Sequence, residues 1–314
     1  MTTPLADSYL DLTTFIRKTL SRVADATADT DSTADSTAAA QVLTSDTGVA
    51  EPHGVDIYVP QKQVAVDINA VSVSTESSGR DKWYHYRKYE LCRQQGVRLF
   101  TVWGDDYARS PDLVKSMIAQ HLGTVRQEAI YPRNTFFTRV PGEETRGFLS
   151  SFHIRGAEAT DDRYGIRAHF GLRERRTERI AAVMGVKYHR ERRELEITRF
   201  ATRRRMPNGF SKLLKNVVDE AMRAGIRANS IPERIVAHSH NDYSQGEPYA
   251  THGFTPTALL DPECFYAVDH LSERFRSSDT DIFGDDFIQY IPAERNRLDR
   301  IWDCGSIRWE KPLF

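Results

Sequence analysis

The chain has little cysteine. Cys92, Cys264 and Cys304 are its three cysteines in 314 residues, and no two of them form a CxxC pair. A disulfide framework and a cysteine zinc site are therefore not expected, and the usage fits the cytoplasm. No apolar run approaches the ~20 residues that cross a bilayer, and no leader of charged then apolar residues opens the chain. A membrane partner is not expected. Excess charge of one sign is also missing, since 43 Lys and Arg face 44 Asp and Glu. The net charge of −1 gives no bulk attraction to nucleic acid. Internal repeats are absent as well, which excludes a solenoid.

What is present is a composition of 39% hydrophobic and 28% charged residues, that of a soluble globular protein. The length suits two domains, each with its own core. Charge is unevenly placed. The first fifty residues are acidic, whereas residues 173–205 hold twelve Lys or Arg against five Glu. Such a stretch is either a DNA-contacting surface or a solvated, salt-bridged hairpin.

Leu10, Phe15, Ile16 and Leu20 recur near helical spacing and predict a helix over 5–23. Residues 24–48 form an expected disordered insert, most of it low-complexity Ala, Thr, Asp and Ser. Short apolar runs predict strands at 55–59 and 64–68, joined by a Pro-Gln-Lys-Gln turn. A helix over 82–95 ends at Gly96, a buried strand covers 97–103, and Pro111 opens a helix over 112–122. This alternation predicts a mixed α/β sheet in a first domain, 1–125. The second domain, 126–314, reads as α+β. It has strands at 164–172, 179–189 and 195–202 in an antiparallel meander, then a helix over 210–224 and a strand at 234–239.

Asp56 and Asp67 each lie on one of the first two strands. Phosphodiester hydrolysis needs a cation, and Mg²⁺ or Mn²⁺ prefers carboxylate oxygens. A hairpin could bring both acids to one end of the sheet as metal ligands. His85 on the following helix could serve as ligand or general acid, and Lys82 and Lys88 could contact phosphate. Strand-end Asp residues are also common turn formers, and a lone helix His is often structural.

These residues resemble a family. VDIYVPQKQVAVDIN, WYHYRKYELCRQQGVRLFTVWGDD and LVKSMIAQHLG are similar to the core of phage homing endonucleases of the EDxHD class. Those enzymes are relatives of the very-short-patch-repair endonuclease, with a restriction-endonuclease-like fold. The resemblance implies double-stranded DNA as partner, a host cytoplasm as location, and Asp56 as the principal metal-binding acid. Asp67 takes the place of a second-strand acid, and Ser8 and Asp11 match an acid-bearing early helix. Asp81 fills a late Asp position. The chain departs from the pattern at two catalytic positions, where Gly54 replaces an acid and Ser74 replaces a His. His85 aligns with a Tyr-His pair outside those positions.

The second half also resembles that family, whose C-terminal region is similar to the phage Mom DNA-modification protein and to N-acetyltransferases. The residues are FHIRG at 152–156, LEITRF at 195–200, GFSKLLK at 209–215, AHSHNDYSQGEPYATHGF at 237–254 and RIWDCGSIRWE at 300–310. An N-acetyltransferase-like domain implies acetyl-CoA, with its pyrophosphate at the turn before a helix. Gly209 and Ser211 are the candidate binding residues there, although the family's loop carries more glycine. The Mom likeness implies a transferase site of His153, Asp242 and Tyr249. Arg203, Arg204 and Arg205 join Lys82 and Lys88 as candidate DNA contacts. Three functions stand open: a metal-dependent endonuclease, a Mom-like base-modifying acyltransferase, and an inactive DNA-binding descendant.

Overall fold

The computed structural model describes residues 4–28, 41–44, 46–125, 128–157, 166–227, 229–268, 273–276 and 298–314. It is a mixed α/β structure whose sheets combine parallel and antiparallel pairs. The chain divides into two compact units. One is Met1–Val125 with His240–Gln245 and Leu260–Ser306, and the other is Arg126–Ser239 with Gly246–Leu259 and Ile307–Phe314. The sequence places one boundary near residue 125, whereas the folded chain re-enters the first unit twice after it. No described helix is long and apolar enough to cross a membrane.

The first unit opens with α1 (Pro4–Ala28). Residues 29–40 of the expected insert lie outside the described residues, and Leu43 already pairs with Tyr58 as an isolated bridge. The expected disorder therefore does not extend over 24–28, which continue α1, or over 41–44 and 46–48. Strands β1 (Ile57–Val59) and β2 (Val64–Asn69) form an antiparallel hairpin. Its turn is a short 3-10 segment, Pro60–Lys62, closed by Gln63 at φ 50°. Helix α2 (Tyr84–Gln94) then leads to β3 (Arg98–Trp103), which pairs parallel to β2. Helices α3 (Gly104–Arg109) and α4 (Pro111–His121) follow. All of β2 is buried, as in a strand covered on both faces. Helix α2 buries His85, Lys88, Tyr89 and Cys92, an i, i+3, i+4, i+7 face. Two polar side chains on that face therefore turn inward.

In the second unit β4 (Thr135–Arg139) and α5 (Gly142–Phe152) precede an antiparallel meander. It comprises β5 (Ile166–Glu174), β6 (Ile180–His189) and β7 (Glu194–Thr202). Helix α6 (Gly209–Arg227) crosses to β8 (Arg234–His240), which runs parallel to β7. A short α7 (Glu247–Ala250) and β9 (Thr255–Leu260) come next. Strands β10 (Cys264–Val268), β11 (Arg274–Arg276) and β12 (Leu298–Trp302), which belong to the first unit, make a separate three-stranded antiparallel sheet. The last strand, β13 (Ser306–Pro312), completes a seven-stranded sheet of order β4-β5-β6-β7-β8-β13-β9.

Helix α6 covers one face of that sheet. Phe210, Leu213, Leu214 and Val217 pack with Leu172, Met184, Leu195, Ile197 and Ile235. Each such aliphatic side chain contributes roughly 2 kcal/mol on burial. On the β6–β7 ladder Gly185 faces Arg199 while Val186 faces Ile197, so Thr198 is an extra, bulged residue. Pairing of β7 with β8 runs from Glu194–Arg234 to Ile197–Ala237 and stops there. The two strands part at the bulge, although β7 continues to Thr202 and β8 to His240.

Candidate functional site

In the first unit the inward face of α2 meets the acids of the hairpin. Asp56 stands just before β1, and its Oδ2 accepts the Ile68 N–H at 2.6 Å. Asp67 is in the middle of β2. Its Oδ1 accepts from Lys88 Nζ at 2.7 Å, and its Oδ2 accepts from Asn69 Nδ2 at 2.8 Å. Burial, and then the Asp67 charge, raise the Asp56 carboxyl to about 6. Burial alone would raise Asp67 too, but the Lys88 ammonium overrides it and holds Asp67 low. Lys88 behaves reciprocally: burial works against its charge, and Asp67 more than restores it.

His85 lies 2% exposed beside this pair. Burial lowers its ring to about 3, so it is neutral. Among the described residues neither ring nitrogen has a hydrogen-bond partner. The ring packs edge-on against Tyr84 and Trp103, with centroids 5.0 and 4.9 Å away. Ser74, which the sequence resemblance aligns with a catalytic His, is fully buried, and its hydroxyl also has no partner among the described residues.

Asp56, Asp67, His85 and Lys88 thus come together, while the other candidates of this unit are engaged elsewhere. Asp11 accepts from Tyr107 and pairs with Lys115. Asp81 pairs with Arg87 at 2.7 Å, and Lys82 with Asp261 at 2.6 Å. Two adjacent carboxylates beside one ammonium leave an excess negative charge. That fits Mg²⁺, which often takes one or two protein carboxylates and fills its shell with water and phosphate oxygen. Among the described residues no group of three or more His, Cys, Asp or Glu forms a ligand set. The Mg²⁺ or Mn²⁺ expected from the sequence thus finds no ligand set among the described residues.

In the second unit the C-terminal end of β7 runs into the turn 203–208 and then α6. Arg203 is tied to Glu174 in an ion pair. Arg204 and Arg205 are exposed. Asn208 takes a positive φ of 59°, and Gly209 packs so tightly on Met206 that a Cβ would overlap its side chain. Ser211 is exposed on the first turn of α6. Elsewhere in the basic stretch, Arg173 pairs with Glu144 of α5 and Arg193 with Glu233, just before β8.

The transferase candidates are divided between the units. His153 follows α5, and its Nδ1 accepts the Arg155 N–H at 3.2 Å. Tyr249 packs among Phe210, Phe254 and Trp309, and burial raises its phenol to about 12. Asp242 belongs to the first unit, where its Oδ1 accepts the Trp103 indole N–H at 2.9 Å.

One polar row escaped the sequence reading. On β6, β7 and β8, His189 Nε2 lies 2.6 Å from Glu196 Oε2, and His238 Nδ1 lies 3.5 Å from Glu196 Oε1. Its only sequence signal is strand alternation, with Glu194 and Glu196 interleaved with the apolar Leu195 and Ile197.

No protein-family model and no curated protein matches the chain. Solved structures that share some of its shape are acetyltransferases. A ribosomal-protein-S5-alanine acetyltransferase from Vibrio fischeri is 10% identical, with a TM-score of 0.29, over 46% of this chain and 61% of its own. A dodecameric spermidine N-acetyltransferase from Vibrio cholerae is 12% identical, with a TM-score of 0.30, over 57% and 94%. A tandem GNAT protein from the clavulanic acid biosynthesis pathway is 10% identical, with a TM-score of 0.32, over 42% and 47%. Likenesses this loose assign neither a fold nor an activity.

Proposed function

We propose that the second unit binds an acyl-CoA and transfers its acyl group, in an N-acetyltransferase-like fold. The observation that carries this reading is the parting of β7 and β8 at Thr198. Ligands of α/β sheets bind where parallel strands end and separate, and a helix N-terminus there offers N–H groups to an anion. Here the pairing of β7 with β8 ends at Ile197–Ala237, and α6 begins after a turn bearing the exposed Arg204 and Arg205. A pyrophosphate fits the turn and the helix start, and an extended amide-bearing chain fits where the strands part. Calorimetric titration with acetyl-CoA tests this. Saturable binding, weakened in the Arg204→Glu/Arg205→Glu protein, is expected; no heat at any concentration rejects the reading.

A second reading is favoured by the Asp56–Asp67 pair. Two adjacent acids with a net negative charge, beside Lys88 and a neutral His85, suit metal-assisted hydrolysis of a phosphodiester in double-stranded DNA. In that reading Asp56 and Asp67 hold the cation, which supplies charge neutralisation and an acidified water. Lys88 fixes Asp67, and His85 shapes the floor. Incubating long duplex DNA with Mg²⁺ or Mn²⁺ is the test. Nicking that disappears in Asp56→Ala supports hydrolysis. Salt-sensitive binding without nicking leaves an inactive DNA-binding protein.

A further inference from the structure

We propose that His238, oriented by Glu196, is the proton acceptor for an amine substrate at the point where β7 and β8 part. This rests on the acyl-transfer reading above. The last paired couple is Ile197–Ala237, so His238 is the first β8 residue beyond the pairing. The bulged Thr198 is next after Ile197 on β7, and its hydroxyl is buried with no hydrogen-bond partner among the described residues.

The three polar side chains share a face. Leu195 and Ile197 on β7, Ile235 and Ala237 on β8, and Met184 and Val186 on β6 belong to the core cluster beneath α6. Strand alternation puts Glu196, His238 and His189 on the opposite face. Their side chains are 24%, 25% and 14% exposed, within reach of solvent.

Hydrogen bonding fixes the His189 tautomer. Arg192 Nη2 lies 2.9 Å from His189 Nδ1, and a guanidinium only donates. His189 Nδ1 is therefore the acceptor, and its proton sits on Nε2, donated to Glu196 at 2.6 Å. His189 has both ring nitrogens committed. Glu196 turns its other oxygen toward His238 Nδ1 at 3.5 Å, a contact that favours the proton on Nδ1 and the lone pair on Nε2. A carboxylate that orients an imidazole in this way makes the far nitrogen a base. Burial opposes ionisation of Glu196, yet its two His partners hold it down to about 2, so the orienting group stays charged.

The substrate enters as an ammonium ion and loses one proton to His238 Nε2. The freed nitrogen lone pair attacks the thioester carbonyl, the C–N bond forms, and the C–S bond breaks with its electron pair going to sulfur. The second nitrogen proton ends on the departing thiolate, and His238 returns its proton to water.

Two measurements on the full chain test the assignment. Nitrogen NMR of the histidine rings is expected to show His238 protonated at Nδ1, and a mixed tautomer in Glu196→Gln. Carbethoxylation by diethyl pyrocarbonate, mapped by mass spectrometry, is expected to modify His238 roughly tenfold faster than His189, and bound acetyl-CoA is expected to protect His238. An Nε2-protonated His238, or a His189 that reacts as fast, overturns the dyad. Acetyl-CoA that binds without protecting His238 overturns its place at the acyl group. If acetyl-CoA does not bind, the acyl-transfer reading fails and the proton-acceptor role falls with it, while the tautomer measurement still decides whether Glu196 orients His238.

Discussion

Lys88 Nζ lies 2.7 Å from Asp67 Oδ1, with the two side chains 5% and 4% exposed. The pair sits inside a strand and a helix face that are otherwise largely apolar, which makes each charge dependent on the other. Replacing Lys88 by Met strands a buried carboxylate and is expected to cost about 3–5 kcal/mol at neutral pH. Denaturant unfolding of Lys88→Met, Asp67→Asn and the double variant checks this. The double variant should recover most of the loss, and additive losses would contradict the pairing.

Asp56 predicts a pH dependence of the opposite kind. Its carboxyl is raised to about 6 by burial and by Asp67, above its unfolded value. The folded state therefore binds more protons than the unfolded one between about pH 4 and 6, and stability falls as pH rises through that window. Asp56→Asn should stabilise the protein by about 2–3 kcal/mol at pH 7.5 and by almost nothing at pH 4. Thermal melts across that range decide it.

A cation offers another way to relieve the same excess of negative charge. Mg²⁺ or Mn²⁺ should raise the melting temperature of the wild-type protein in proportion to its occupancy, and should do so far less in Asp56→Asn. An equal shift in both proteins would move the cation elsewhere.

Gly246 at φ +79° stands against the Trp309 indole, where a Cβ would overlap the ring. Trp309 donates its indole N–H to Ser239 at 2.8 Å and packs with Tyr249. Gly246→Ala combines backbone strain with displacement of that ring and should cost roughly 3 kcal/mol or more. A lowered melting temperature, together with altered tryptophan fluorescence of the folded protein, is the readout.

Local pattern carried much of this protein. Alternation and turn chemistry were enough for the β1–β2 hairpin, because Pro60–Lys62 joins two short apolar runs through a proline-led turn. Asp56, Asp67, His85 and Lys88 are candidates on residue chemistry, whereas the ion pair of Lys88 with Asp67 came from the folded chain. The meander β5–β7 and the helix after it were legible from pattern: their apolar periods are those of half-buried strands and of a helix packed on one side. Partnership between distant residues came from the folded chain instead. Asp11, Asp81 and Lys82 are candidates on chemistry alone, and the fold ties each to a partner through contacts of long sequence separation or local turns. Asp242 is a candidate on resemblance alone, and only the folded chain shows its hydrogen bond from Trp103. The Glu196 row had no motif at all, because its three members come from three strands. Secondary structure follows from periodicity along the chain, whereas a side chain's charge state and its neighbour depend on strand order, register and burial, which no local window contains.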